Sequence, residues 1–417
     1  MFRGLVTIEE AKIIINQNFR AEPTGVEEVR LLEAFNRVLA EDAIALLDIP
    51  PFNRSTVDGY AVRSEDTFGA EENKPVKVRL IGAANVGEAP KTSVKPGTAV
   101  EIMTGAPMPE GADAVVMAED TEQKGEEIYI YNAVAKDENV MKAGSDIKRG
   151  EVVLRTGQLL GAREIGGLAA IGLDRVKVYR TPVVAILSTG AEVTEPGKPL
   201  PPAKIYDINA YSLSAAVMEC GGRPLYMGVY QDDAAEIENA IRQALEMADV
   251  VLTSGGVSVG PKDVLPKTLS ILGKPGLIIC GIAAKPGKPT SVASINGKPV
   301  FSLPGHPASA LLMFHILICP FIERLAGLKP KENFKVKALA STKMFSARGR
   351  RTYVTVKIRK DDSSRLWAEP VPTGQSGAIT TLLRADGYVE IPENQQFIEA
   401  GEEVQVNLFT RTQTPIW

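Results

Sequence analysis

Histidine is almost missing from these 417 residues: His306 and His315 are the whole supply, and the three cysteines, Cys220, Cys280 and Cys319, show no C-x-x-C spacing. That excludes a transition-metal site built from sulfur or histidine. An odd cysteine count also argues against a disulfide framework and predicts three small, buried core residues. Any bound metal is therefore expected to be a hard cation on carboxylates. Positive charge is not in excess either. With 47 Lys+Arg against 51 Asp+Glu the formal charge is -4, so no nucleic-acid partner is expected and an anionic ligand must be held locally. Long apolar runs are lacking too. The longest, 308–322, is interrupted by His315 and Pro320 and falls short of the roughly 20 residues that a membrane span needs, so a buried helix and no membrane partner are expected. The start, MFRGLVTIEEAK, has no basic region followed by an apolar core and a small-residue cleavage site, which points to the cytoplasm.

What is present is periodicity that changes along the chain. Thr7-Ile8-Glu9-Glu10 has the order of a capping box, and Leu32, Phe35 and Leu39 recur at helical spacing, so the first 45 residues read as helical. From DIPPFNRSTVDGYAV to about residue 145 the pattern becomes short strands separated by Pro and Gly, among them VKVRLIGAANV and ADAVVMAED. LLGAREIGGLAAIGL (159–173) reads as helix again and is expected to return to the N-terminal helices. From Pro182 strands and helices alternate: VVAILSTG, INAYSLSAAVMEC, PLYMGVY, AAEIENAIRQALEMA and DVVLTSGG. This predicts a mostly parallel sheet covered on both faces. Strands near LIICGIAA, TSVASI and PVFSL, with a hairpin turn at Asn296-Gly297, and a long helix from Pro307 to Leu325 complete it. Beyond Lys329, FKVKALAS, RRTYVTVKIRK, RLWAEPVP, DGYVEIP and EEVQVNLF alternate as in a small antiparallel barrel or sandwich.

In an open α/β sheet the ligand sits outside the carboxyl ends of the strands. Four loops qualify: STGAEV (188–193), YQDD (230–233), TSGGVSVGPKD (253–263) and LPGHPAS (303–309). TSGGVSVGPKD resembles a phosphate loop but fits neither G-x-G-x-x-G nor G-x-x-x-x-G-K-[ST], so neither a dinucleotide nor a Walker-type triphosphate follows from it. Gly190, Gly255 and Gly256 let backbone amides approach an oxyanion, and Ser188, Thr189, Ser254 and Ser258 add hydroxyl donors. One such loop is as readily an ordinary turn; three at one sheet edge favour a phosphate. The same edge carries Glu192, Asp232, Asp233 and Asp263, and a divalent cation relieves the repulsion they would exert on an anion. Mg2+ suits one or two carboxylates plus phosphate oxygens. Asp233, beside a helical run, reads instead as a helix N-cap. AAKPGKPT (283–290) places Lys285 and Lys288 around a Pro-Gly turn, fit for an oxyanion or for a solvated turn. In LPGHPAS, Pro304 and Pro307 bracket Gly305 and a helix start, where His306 either caps or donates to a phosphate.

Taken together and in order, PPFNRSTVDGYAV, EIMTGAPMPEGADAVVM, AGSDIKRGEVVL, LSTGAEV, IYDINAY, SGGVSVGPKD, KPGKP, LPGHPASA and TGQSGAI resemble the MoeA-type molybdopterin molybdenumtransferases, relatives of the gephyrin E domain. The resemblance implies an α/β plus β, multidomain, elongated chain in four parts. These are a helical linker domain (1–45 and 147–178), a β-rich domain (46–146), a MogA-like three-layer α/β molybdopterin-binding domain (179–328) and a barrel-like C-terminal β domain (329–417). It implies a cytoplasmic homodimer that takes adenylylated molybdopterin and molybdate, releases AMP and inserts molybdenum, with Mg2+ assisting. Glu192, Asp232 and Asp263 match the acidic, metal-holding cluster, and Lys285 and Lys288 the oxyanion-binding lysines. Asp58 and Thr104 match positions brought from the other subunit, and Asp146 falls in a matching motif. Asp207 and Asn209 of IYDINAY join the glycine loops as binding residues. Ser309, Arg350 and Ser376 are weaker transfers to a molybdate pocket. The family usually has Asn where this chain has His306. The implied protein partners are the molybdopterin adenylyltransferase and molybdoenzyme apoproteins. Two other readings are an adenylyltransferase-like enzyme, against which the flanking β domains argue, and a gephyrin-like binding scaffold.

Overall fold

The computed structural model describes residues 4–256, 264–329, 334–371 and 379–409, and the chain divides into two compact units, 28–178 and the remainder. The remainder opens with α1 (Ile8–Asn18), capped as its sequence dictates: Thr7 Oγ1 accepts from the Glu10 N–H at 3.2 Å, and the Glu10 carboxylate accepts from the Thr7 N–H at 2.7 Å. Ile8, Ala11 and Ile15, on one face, enter the core. Helix does not continue to residue 45. Val26–Arg30 is a strand and Leu31–Ala34 a single 3-10 turn, with Leu32 85% and Phe35 54% exposed. Their three-residue spacing marks no buried face, which corrects the helical reading there.

Within 28–178, a six-stranded sheet runs in the order Ala114–Met117, Gly59–Val62, Thr98–Ile102, Val76–Ala84, Glu127–Ile130, Thr121–Lys124. Only Val76–Ala84 with Thr98–Ile102 is a parallel pair. The expected helix is α2 (Ala162–Ala170), whose Leu168 is buried with Leu39, Ala43 and Val178.

The larger unit is built on a second six-stranded sheet, ordered Arg223–Tyr230, Val183–Thr189, Val250–Ser254, Lys298–Leu303, Ser291–Ile295, Pro275–Cys280. The first four strands are parallel, the fifth pairs antiparallel with the fourth and the sixth antiparallel with the fifth, and Asn296 (φ 52°) and Gly297 (φ 82°) make the tight hairpin turn. Helices α3 (Asn209–Glu219), α4 (Ala234–Met247), α5 (Leu265–Ile271), α6 (Pro307–Met313) and α7 (Cys319–Leu325) cover both faces. Alternation along the strands sorts the core. Val184, Ile186, Val250 and Leu252 pack with α1, α3, α6 and α7, while Val183, Ala185, Leu187 and Val251 pack with α4 and α5.

Between α6 and α7, Phe314–Ile318 widens into a π turn just before Pro320, whose missing N–H prevents a regular ladder. The whole stretch Pro307–Leu325 is apolar and long enough to cross a membrane, but 67% of it is buried inside the fold, as the core-helix reading expects. Five C-terminal strands close into a barrel. Arg351–Lys360 pairs with Leu366–Pro370, then come Lys335–Ala340, Glu403–Leu408 and Gly387–Ile391, which returns to Arg351–Lys360 and leaves no free edge.

The cysteine expectation is overturned. Cys220, just after α3, and Cys319, opening α7, form a disulfide with Cα atoms 5.7 Å apart, and Cys280 is exposed. The bonded pair is separated by 99 residues and is brought together by helix packing, which spacing rules for neighbouring cysteines do not sample.

Candidate functional site

The carboxyl ends of the parallel strands surround a cavity of about 640 Å³. It collects Thr189 and Glu192 from the first predicted loop, Asp207 and Asn209 before and at the start of α3, and Ser254, Gly255 and Gly256 from the third loop. Lys288 and the whole turn Pro304, Gly305, His306 and Pro307 complete the predicted set, with Ser188 beside them. Glu192 is exposed and has no cation partner among the described residues.

Hydrogen bonds fix one wall of this cavity. The Asn209 amide donates to Ser254 Oγ at 2.7 Å and to the Gly305 carbonyl at 2.8 Å, tying three loops together. Since a carbonyl only accepts, the nitrogen must face Gly305, and Asn209 Oδ1 is left buried without a partner. Ser188 Oγ is likewise buried and unpartnered. Native folds rarely leave such groups orphaned, because each costs roughly 1–3 kcal/mol; two in one cavity wall point to a ligand that completes them. The glycines act differently from the expectation. The Gly190 N–H donates to the Tyr230 carbonyl and the Gly255 N–H to the Leu303 carbonyl, both at 3.2 Å, so neither amide is open to an oxyanion. Of the predicted anion-facing groups, Ser188, Lys288 and Gly256 line the cavity.

The other predicted residues fall elsewhere. Asp232 is exposed at the end of Arg223–Tyr230 and does not line the cavity, and Asp233 caps α4, accepting from the Ala235 and Glu236 N–H groups. Lys285 sits on the two-residue strand Ala284–Lys285, which pairs with Arg351–Thr352 of the barrel; the Lys285–Pro286 peptide is cis. Arg350, half-buried one residue before the strand, falls level with Ala283 in that register, upstream of the KPGKP turn. Gly287 is held open at φ 114° because a Cβ there would meet Met313 Sδ at 2.4 Å. Ser309 is half-buried in α6, and His306 occupies the α6 N-cap position without a side-chain cap bond. Ser258, Asp263 and Ser376 lie outside the described residues. Among the described residues no three His, Cys, Asp or Glu side chains gather as metal ligands.

Asp58, Thr104 and Asp146 belong to the 28–178 unit, and all three are exposed. Both the N–H (2.6 Å) and the hydroxyl (2.9 Å) of Thr104 donate to Asp58 Oδ1. These bonds, the backbone one foremost, hold the Asp58 carboxyl below its ordinary range, so it stays charged to lower pH than a free aspartate. In Thr104→Val, NMR titration should show the Asp58 midpoint moving up but remaining depressed, since the backbone donor survives; an unmoved midpoint would show that the hydroxyl contributes nothing.

Sequence reasoning missed Tyr226. Its hydroxyl donates to Asp207 Oδ2 at 3.3 Å, while the Ala210 N–H donates to Asp207 Oδ1 at 3.0 Å. Burial first, and then the neighbouring Asp207 charge, push the phenol pKa upward. Nothing in PLYMGVY signals this, because the contact joins a strand residue to the turn before α3. Val193, Ile205 and Tyr206 also line the cavity; the short parallel pair Val193–Thr194 and Ile205–Tyr206 places them.

Family profiles described as MoeA N-terminal region (domain I and II), probable molybdopterin binding domain, and MoeA C-terminal region (domain IV) match residues 6–172, 185–324 and 337–409. The molybdopterin molybdenumtransferase of Nostoc sp. is 35% identical over 91% of this chain and 88% of its own length. That of Bacillus subtilis is 33% identical over 94% and 91%. Two solved molybdopterin biosynthesis MoeA proteins from Pyrococcus horikoshii give TM-scores of 0.85 and 0.78 at 41% and 32% identity. They cover 98% and 97% of this chain and 100% of their own.

Proposed function

The chain belongs to the MoeA family of molybdopterin molybdenumtransferases, enzymes of molybdenum cofactor biosynthesis, and from that premise we propose that it inserts molybdenum from molybdate into adenylylated molybdopterin with release of AMP. The observation that carries this reading is the cavity at the sheet edge, where a buried orphan hydroxyl, a lysine and a glycine loop meet a polar wall with an unsatisfied acceptor. A volume of about 640 Å³ suits a substrate of this size.

In this proposal Ser188, Lys288 and Gly256 bind the phosphoryl end and stabilise charge that develops there, an effect worth roughly a hundredfold or more per donor in comparable sites. Lys285 holds molybdate, with Ser309, Arg350 and Ser376 as the weaker assignments. Asp58, Thr104 and Asp146 complete the site from a second copy of the chain. Mg2+ suits a hard oxygen donor such as Glu192 in the cavity lining; Glu192, with the sequence-matched Asp232 and Asp263, would hold it, and it would neutralise the phosphoanhydride. No protein nucleophile is required, and molybdenum itself is cargo. The four-part division of the chain, the homodimer and the cytoplasmic location belong to the same proposal.

The test is AMP release by the purified protein from adenylylated molybdopterin with Mg2+, with and without molybdate. Molybdate-dependent release is expected, and Lys288→Ala should lower it roughly a hundredfold. Release independent of molybdate, or an unaffected Lys288→Ala variant, would remove the basis of the reading.

A further inference from the structure

The cavity lining carries two chemistries. Lys288 and Ser188 offer a cation and a hydroxyl, whereas Asp207 and Asn209 offer buried acceptors. Asp207 is 4% exposed, and no described cation pairs with it; its two bonds come from the Ala210 N–H and the Tyr226 hydroxyl. A carboxylate has about four acceptor sites, so acceptor capacity remains after those two bonds. Two residues on, Asn209 Oδ1 is a second acceptor without a donor, in a side chain only 7% exposed and locked by Ser254 and Gly305. A buried, anionic, acceptor-rich corner repels phosphate and molybdate and matches a rigid edge of adjacent N–H donors.

We propose that Asp207 and Asn209 are the specificity-determining residues for the heterocyclic end of the substrate, accepting from the ring N–H and exocyclic amino group of an aminopyrimidinone. The inference rests on the proposed function, since the family's substrate carries that edge on its pterin. The phosphoryl end then lies toward Lys288, the cation of the lining. Tyr226 is a positioning residue that acts through Asp207.

Two stable probes differ only at this edge: neopterin, and its lumazine counterpart with a carbonyl in place of the amino group. Their affinities, read from quenching of ligand fluorescence, should differ at least about tenfold in favour of neopterin, the scale set by leaving buried acceptors unpaired. Asp207→Asn can still cap Ala210, so the fold should survive, as a melting curve can check. It should lower neopterin affinity about tenfold, bring the ratio near one and leave AMP affinity unchanged. Tyr226→Phe should keep most of the preference. An unchanged ratio in a folded Asp207→Asn protein overturns the assignment, as does a wild type that binds both probes equally. Loss of AMP affinity instead of neopterin affinity assigns the corner to adenine and overturns it too. A wild type that binds neither probe but releases AMP with molybdate sinks this inference alone, whereas one that does neither sinks the proposed function as well.

Discussion

Gly255→Ala is expected to abolish activity, lowering molybdate-dependent AMP release more than about a hundredfold, and to destabilise the larger unit by about 2–4 kcal/mol. Gly255 sits at φ 95°, where an L side chain is strained, and an added Cβ would lie 2.2 Å from the Thr189 carbonyl oxygen. That oxygen is backbone on the adjacent parallel strand, so it cannot swing aside as a long side chain could. The loop must move, and it takes with it Ser254, which holds the Asn209 amide, and the Gly255 bond to Leu303. Gly305 is the internal control. It lines the same cavity, but a Cβ there meets nothing nearer than the Gly255 Cα at 3.7 Å, an ordinary contact. Gly305→Ala should therefore melt like wild type and keep most turnover. Equal behaviour of the two alanine variants in calorimetry and AMP release would mean that the close approach of the two loops is dispensable.

That contrast also shows what the sequence could and could not convey. TSGGVSVGPKD announced a strand running into glycines, and the sheet-edge rule placed it beside STGAEV and LPGHPAS; all three loops border one cavity as far as they are described. The purpose of the glycines was not readable. By sequence they read as openings for an oxyanion, yet Gly190 and Gly255 give their amides to backbone carbonyls, and Gly255 is required by the nearness of Thr189. Period-two and period-3.6 patterns depend on one element meeting one core, so the fully buried strand Val183–Thr189 and helix α4 were legible. Leu32 and Phe35 satisfied the same spacing with no core to face. Tyr226 with Asp207 and Cys220 with Cys319 depend on tertiary approach across elements, for which no local pattern exists. Asp233 was readable because a cap is a local bond.

Reduction of Cys220–Cys319 should produce the other large effect, this time on stability. The bond closes a loop with a sequence separation of 99 residues. Chain-entropy arguments assign such a loop roughly 4–5 kcal/mol, and at about 2–4 °C per kcal/mol the melting point should fall by some ten degrees or more. The cross-link fastens the end of α3 to the start of α7, and the opposite end of α3 carries Asn209 into the cavity, so ligand affinity should weaken along with stability. Both cysteines are at most 1% exposed, which shields the sulfurs from thiolate attack while the fold is closed. Such bonds are uncommon in reducing compartments, where burial of this kind is what lets one persist. Incubation with reductant at 25 °C should therefore change little, whereas a calorimetric scan with reductant present should show the full drop. A Cys319→Ala variant should melt low with or without reductant. Thiol counting on unfolded protein supplies the independent check: one reactive thiol, Cys280, before reduction and three after it. Three thiols before reduction would mean that the helices are held by packing alone, and the melting point should then be indifferent to reductant.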